Sequence, residues 1–259
     1  MSAFEFSAKF YDLLYEGKAY RKEADYIHAL LTAHDAGHLV LELGCGSGGH
    51  ATHLAEYGST VTGVDMSADM LLRLAARAEH LPEKIRHRIS WQQSDIRTFQ
   101  PEPIHDSVIS VFHVMSYMTT NQDLNAAFAT ANRGLVPGGL LVFDCWYGPA
   151  VLTLGPEKRE TTRENESWFL DRKVTPVHRP NDDVVEVHYD YIARNKKTDE
   201  ESNFSEVHCM RYLFRPEVEN FLNNNGFSLI SSHEFLTDNE LSCETWTACF
   251  VARKRGGGK

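Results

Sequence analysis

Four glycines fall within six positions in Gly44-Cys45-Gly46-Ser47-Gly48-Gly49, directly after the apolar stretch Leu39-Val40-Leu41-Glu42-Leu43. Glycine lets a chain turn tightly and lets a ligand approach the backbone closely. If the apolar stretch is a buried strand and residues 51–56 continue as a helix, that helix points its free amides and positive dipole end into the turn. Residue types and spacing thus predict a nucleotide-type binding corner. Gly44, Gly46 and Gly49 match the G-x-G-x-x-G spacing of a dinucleotide site, with Asp65 about 20 residues on as a ribose-binding acid. Glu42 and Gly48 complete a second pattern, Glu-x-Gly-x-Gly-x-Gly.

The second pattern resembles motif I of the class I S-adenosylmethionine (SAM)-dependent methyltransferases. A carboxylate beside the turn repels a pyrophosphate but suits the ammonium and sulfonium of SAM. Other positions extend the resemblance in order. Asp65, followed by Met66, ends the second predicted strand, where it would accept from ribose hydroxyls. Asp95 ends the third and would accept from the adenine amino group, with Ile96 offering a backbone N–H to the ring. Glu42 is expected to face the methionine ammonium, because a carboxylate buried without a partner is costly. Gly44, Cys45, Gly46, Gly48 and Phe112 complete the expected core of the cofactor site. His113, Ser116 and Tyr117 emerge beyond the fourth strand, at the end of the sheet where ligands of open α/β folds sit. His113 is expected as a general base or substrate ligand. Tyr117 is the second candidate, less suited as a base because its unperturbed pKa is about 10.

The N-terminal segment Tyr11-Asp12-x-x-Tyr15-x-x-Lys18-x-Tyr20-x-x-Glu23 interleaves aromatic and charged residues. It reads either as an amphipathic helix with surface tyrosines or as a cap whose Tyr11 and Tyr20 hydroxyls reach the cofactor and whose Tyr15 reaches the substrate. This segment looks like the start of the bacterial small-molecule N-methyltransferases that act on nucleotide-linked amino sugars. The block Phe143-x-x-Trp146-Tyr147-Gly148-Pro149-Ala150-Val151-Leu152 and the segment Glu186-Val187-His188-Tyr189 are similar to them too. Where many of those enzymes carry a small polar residue after the phenylalanine, this chain has His113. The resemblance implies methyl transfer from SAM to an amine (or hydroxyl) of a small polar metabolite, such as a nucleotide-linked amino sugar. An O-methyltransferase on another small molecule is the first alternative. A nicotinamide-dependent oxidoreductase and a non-catalytic SAM-binding protein are the others. Trp146, Tyr147, His188 and Arg211 are the expected lid contacts to substrate, Arg211 being suited to a phosphate or carboxylate.

The elements that must position these residues follow from periodicity. Residues 6–33 read as helical with a break at Gly17, and a helical cap is expected over residues 1–35. Strands are expected at 39–43, 59–64, 89–93, within 104–112 and at 139–143, with helices at 68–79 and 121–133, so residues 36–147 form an α/β core. Pro137-Gly138-Gly139 supplies a turn before the fifth strand. Residues 148–215 then change rhythm. Segments 168–177, 184–193 and 204–214 alternate, which predicts a three-stranded antiparallel meander serving as a lid or a homodimer surface. Residues 216–253 add a helix and two last strands, and 254–259 a flexible tail. The family resemblance makes the core a Rossmann-like, seven-stranded sheet whose last strand is antiparallel.

Composition narrows the partners. A net charge of −10 and a pI near 5.7 argue against a nucleic-acid binder. The five cysteines include no C-x-x-C pair, which favours reduced thiols and a cytoplasmic setting. No signal-peptide layout and no apolar run near 18 residues is present, so no membrane partner is expected. Glu186, His188 and Asp190 share one strand face, as do Glu206 and His208. Charge alternating on a half-exposed strand reads as a solvated face, and no metal is expected there or at His50 and His53.

Overall fold

The computed structural model describes residues 10–102 and 105–256. The apolar stretch is strand β1 (Leu39–Leu43), buried from residue 40 onward. It pairs in parallel with β2 (Thr60–Asp65) on one side and β4 (His105–Ser110) on the other. β3 (Ile89–Gln93) lies beyond β2, and β5 (Leu135–Tyr147) beyond β4. β11 (Thr247–Lys254) runs antiparallel to β5, and β10 (Phe227–Glu234) antiparallel to β11. The core sheet therefore has the order β3-β2-β1-β4-β5-β11-β10, the seven-stranded arrangement expected. Strand order reverses between β1 and β4, which opens a crevice at their carboxyl ends.

Side chains alternate across this sheet into two layers. Val40 packs with Ile27 of helix α2 (Tyr20–Ala33) and Leu54 of α3 (Gly49–Glu56). Leu71 and Leu74 of α4 (Ala68–Glu79) lie in the same layer. Leu41 and Leu43 share the opposite layer with Phe128 of α6 (Asn121–Gly134) and Phe221 of α8 (Arg215–Asn224). Local chemistry fixes the helix starts: the Ser67 hydroxyl accepts the Met70 N–H at 3.3 Å, and that of Thr120 the Asp123 N–H at 3.0 Å. Short α1 (Tyr11–Leu14), α5 (Glu83–Arg86) and α7 (Gly148–Leu154) fill connections. Among the described residues no helix is long and apolar enough to cross a membrane.

Two expectations change. The meander has four strands, β6 (Arg159–Glu164), β7 (Trp168–Arg179), β8 (Val184–Asn195) and β9 (Glu201–Leu213). β6 escaped because Arg-Glu-Thr-Thr-Arg-Glu has no apolar residue to mark its face. The turn expected at 137–139 lies inside β5, absorbed by Gly138 at φ +80° and a register shift against β4. The helical segment expected over 6–33 with a break at Gly17 is two helices parted around Gly17 (φ +81°), and its first residues, 6–9, fall outside the described part. So do Ile104 and residues 257–259.

The whole meander hangs from one strand end. β9 pairs in parallel with the tip of β5, Tyr212 opposite Trp146 and Leu213 opposite Tyr147. On the other flank, α2 lies directly on the glycine corner, and a Cβ placed on Gly49 would stand 2.5 Å from the Tyr20 ring. Gly49→Ala should therefore push α2 off α3 and cost about 1–3 kcal/mol. A urea unfolding curve checks this, and an unshifted midpoint would contradict it.

Candidate functional site

The corner is built as its residues require. Gly44, Gly46 and Gly48 all have positive φ, and Gly48 caps the start of α3. Glu42, at the end of β1, is buried. Its Oε1 lies 3.3 Å from His50 Nδ1 on α3, and His50 Nε2 lies 2.7 Å from Glu23 Oε2 on α2. Lys18 Nζ completes the chain at 2.5 Å from Glu23 Oε1 and sits 3.8 Å over the Phe112 ring. Burial alone would lower the His50 pKa, but the Glu23 and Glu42 carboxylates outweigh it and hold it up at about 9. Burial likewise pushes the Glu23 pKa up, yet His50 and Lys18 bring it below the usual value.

A cavity of about 550 Å³ opens at the carboxyl ends of the strands, lined on the sheet side by Gly44, Gly46, Asp65, Met66, Asp95 and Ile96. The Asp65 carboxylate accepts the N–H groups of Gly46 and Ser67, each at 2.8 Å, and so fixes the glycine turn. Burial raises its pKa, against those backbone donors. Asp95 is tied to Arg97, whose Nε lies 2.9 and 3.0 Å from its two oxygens, and this cation holds the carboxyl below its ordinary value. A side cavity of about 50 Å³ reaches toward Tyr20, Cys45, Ser47 and His50 and shares Tyr11, Gly44, Gly46 and Phe112 with the main one. The Tyr11 and Tyr20 hydroxyls meet at 2.7 Å there.

Beyond β4 the backbone is strained. Phe112 and His113 are consecutive left-handed residues, φ +66° and +64°, a conformation costing roughly 1–2 kcal/mol per residue. Asp144 on β5, fully buried, accepts both N–H groups at 3.1 and 2.7 Å. Burial pushes the Asp144 pKa up. It pushes that of His113 down, with Asp144 opposing, and His113 Nδ1 stands 3.6 Å from Asp144 Oδ2. The turn presents His113 and Tyr117 to the cavity.

The lid closes the cavity from above. Arg172 and Val174 of β7, Tyr189 and Tyr191 of β8, and His208 and Met210 of β9 face it, and Trp246 joins Trp146 at its edge, rings 5.4 Å apart. The Tyr117 hydroxyl meets His208 Nδ1 at 3.0 Å.

These features have known counterparts. A methyltransferase-domain family matches residues 40–139. A curated relative from Streptomyces venezuelae, dTDP-3-amino-3,4,6-trideoxy-alpha-D-glucopyranose N,N-dimethyltransferase, is 31% identical over 217 residues, 82% of this chain and 86% of its own. The chain belongs to the class I SAM-dependent methyltransferases. A second relative of this methyltransferase, the dTDP-3-amino-3,6-dideoxy-alpha-D-glucopyranose N,N-dimethyltransferase of Streptomyces fradiae, is 30% identical over 151 residues, 57% of this chain and 56% of that one. The crystal structure of Streptomyces venezuelae DesVI shares the fold, with a TM-score of 0.77 at 23% identity over 95% of this chain and 98% of that one.

The methyl donor is SAM, and the corner fits it. Glu42 Oε2 and Ser47 Oγ are buried with no hydrogen-bond partner among the described residues; Ser47 lines the small cavity, and Glu42 lies behind His50, which lines it too. An ammonium and a carboxylate would satisfy them. Burial pushes the Cys45 thiol well up, which makes it a wall rather than a nucleophile.

Three expected substrate contacts lie elsewhere in the methyltransferase, all for one reason. Side chains on a strand alternate between faces, and Tyr147, His188 and Arg211 each stand on the face turned away from the cavity, whereas Trp146, also expected as a contact, faces it. Trp146 lines the cavity while Tyr147 packs into the core. Val187 and Tyr189 line it while His188 stands on the outer face, 3.5 Å from Glu186. Met210 lines it while Arg211 turns away to the Thr119 carbonyl, Asn121 and Glu217. The same alternation separates Glu186, His188 and Asp190 from Glu206 and His208, whose strand partners lie on the opposite face. Arg172 of β7, Tyr189 of β8 and His208 of β9 are cavity residues that the sequence does not single out, because alternation puts each on one face of its strand without saying which face meets the cavity.

The His50 pairing makes stability depend on pH. An unfolded histidine titrates near 6.5, so the raised folded value stabilises fully below that pH and the contribution is lost as pH rises through about 9. The unfolding free energy should fall by roughly a few kcal/mol between pH 6.5 and 9.5. In His50→Gln that slope should be absent. Urea titrations across the range test it, and equal slopes in both proteins would contradict it.

Proposed function

We propose that this methyltransferase methylates the amine of a nucleotide-linked amino sugar. The observation that carries the reading is the main cavity, which joins the glycine corner to a lid wall of aromatic rings and two arginines, Arg159 and Arg172. Aromatic faces suit the flat apolar faces of a sugar or a base, and guanidinium groups suit a diphosphate. Arg172 is pre-positioned: its Nε donates to Thr161 Oγ1 at 3.2 Å, and its guanidinium lies 5.9 Å from the Tyr189 ring centre. Both relatives named above act, by their names, on amines of dTDP-linked sugars.

The residues have defined tasks in this reading. When bound, SAM supplies a sulfonium-activated methyl group. Glu42, His50 and Ser47 hold the amino-acid end, Asp65 the ribose, and Asp95 and Ile96 the adenine. Tyr15, whose ring meets Phe112 edge-on at 5.5 Å, and Trp146 hold the sugar between cap and lid. A neutral amine needs little activation beyond losing its proton. Alignment within a pocket that excludes water supplies the rest of the acceleration.

The test is incubation with SAM and dTDP-3-amino-3,4,6-trideoxy-α-D-glucopyranose, read by mass spectrometry. Addition of one and then two methyl groups is expected, and Arg172→Gln should raise KM about tenfold by removing a charged hydrogen-bonding group with kcat little changed. Methylation only of hydroxyl-bearing analogues would replace this reading with O-methylation. S-Adenosylhomocysteine binding without turnover of any such sugar would sink it.

A further inference from the structure

Asp65 and Asp95 both line the sheet side of the main cavity, but they are held differently. Asp65 accepts backbone N–H groups, those of Gly46 and Ser67. Asp95 is gripped by a side chain. Arg97 Nε lies 2.9 Å from its Oδ1 and 3.0 Å from its Oδ2, and Arg97 Nη2 lies 2.5 Å from Oδ2. The Arg97 backbone N–H adds a bond of 2.9 Å to Oδ1.

The guanidinium is itself anchored. Its Nη1 lies 2.8 Å from Oδ1 of Asp123, in the first turn of α6. Asp123 Oδ2 accepts the Thr120 hydroxyl proton at 2.8 Å, and the Thr120 oxygen accepts the Asp123 N–H. Leu124 and Phe128 seat α6 in the core. The chain Asp95–Arg97–Asp123 thus refers one cavity carboxylate to a packed helix. The Arg97 and Asp95 side chains are 39% and 29% exposed, and ion pairs at such exposure add little to stability. Orientation is the better account of this one.

A planar fork that reaches both oxygens of one carboxylate approaches from one side, so the other edge keeps lone pairs for a ligand. An ionised carboxylate only accepts, and its ligand must donate. The 6-amino group of adenine donates, and the 6-oxo group of hypoxanthine does not. Hypoxanthine keeps a donor at N1, one ring atom away. A carboxylate free to swing about its broad terminal torsion can reach that donor, and one locked in place cannot. We propose that Arg97 is a positioning residue for the cofactor, locking Asp95 so that the site selects adenine over a 6-oxo purine. The inference rests on adenine lying against Asp95, as read above.

Calorimetric titration of the full chain with S-adenosylhomocysteine and with S-inosylhomocysteine, its 6-oxo counterpart, tests this. Wild type should bind the first about 100-fold more tightly, because the 6-oxo ring leaves polar groups of the site unmatched. Arg97→Gln should narrow that ratio about tenfold, by removing a charged bidentate grip. Arg97→Lys keeps the charge without the fork and should narrow it as far. In an Asp95→Asn background, Arg97→Gln should change the ratio by less than about twofold, as expected of a residue that acts through another. Should Arg97→Gln fail to fold, Asp123→Asn, which loosens the guanidinium from α6, should narrow the ratio about threefold. A loss of affinity equal for both ligands is what a merely structural ion pair would give, and it overturns the inference alone. So does a ratio restored in full by Arg97→Lys, or one that Arg97→Gln narrows just as far without Asp95. Equal affinity of wild type for the two ligands overturns the placement of adenine against Asp95, and the inference with it.

Discussion

A carboxylate taken out of water costs several kcal/mol unless it is paired, and this fold buries one at its centre. Glu42 is 1% exposed at the end of β1. Its partner His50 comes from α3, the next link Glu23 from α2, and the last, Lys18, from the segment before α2. Each link belongs to a different piece of chain, so satisfying the charge also clamps the N-terminal cap onto the glycine corner. Removing one link leaves a buried charge uncompensated, which is worse than removing the whole chain. Because Lys18 also lies over Phe112, the chain ends on the ring that walls the cavity. Cofactor corner, cap and substrate wall are thereby held by one electrostatic requirement.

The second organiser is β5. It carries β4 along one side, β11 along the other, and β9 at its tip, where β4 has already ended. That overhang is what allows a meander to be inserted without disturbing the core. The same overhang holds the turn below it. Asp144 takes the two N–H groups of the left-handed pair, and the Ser116 hydroxyl accepts the Trp146 N–H at 2.9 Å. The turn that exposes His113 and Tyr117 and the strand that suspends the lid are thus bonded to each other. Their spacing sets the height of the cavity.

Much of this was legible in the sequence, unevenly and for physical reasons. β1, the four glycines and the helix after them are local: apolar run, φ freedom and helix start lie within 18 residues, 39–56. Most strands of the core are legible to within a few residues because they carry compact apolar runs, although β3 buries only Ile89. β6 is not, because both its faces are polar. The left-handed Phe112–His113 pair has no sequence mark, since the group that stabilises it, Asp144, is 31 residues further on from His113. The lid residues fail differently. Alternation was visible in β8 and β9, but which face meets the cavity depends on how the tip of β5 seats β9, a pairing of only two residues. One step of register moves the answer from Met210 to Arg211 or from Tyr189 to His188. Long-range pairing decides the face, and short-range pattern cannot.

The distribution of charge over the cavity fits the amine methylation proposed for it. Burial pushes Tyr15, Tyr117 and Tyr189 up and His113 down, so the walls nearest the reacting groups are neutral at neutral pH. Arg159 and Arg172 stand at the lid side, and the carboxylates of Asp65 and Asp95, the latter paired with Arg97, at the sheet side. Methyl transfer to an amine moves a positive charge but creates none, so an array of donors aimed at a developing anion would have nothing to stabilise. The demands are alignment, exclusion of water and removal of one proton. A neutral aromatic enclosure meets the first two, and it does so without placing a charge against the substrate.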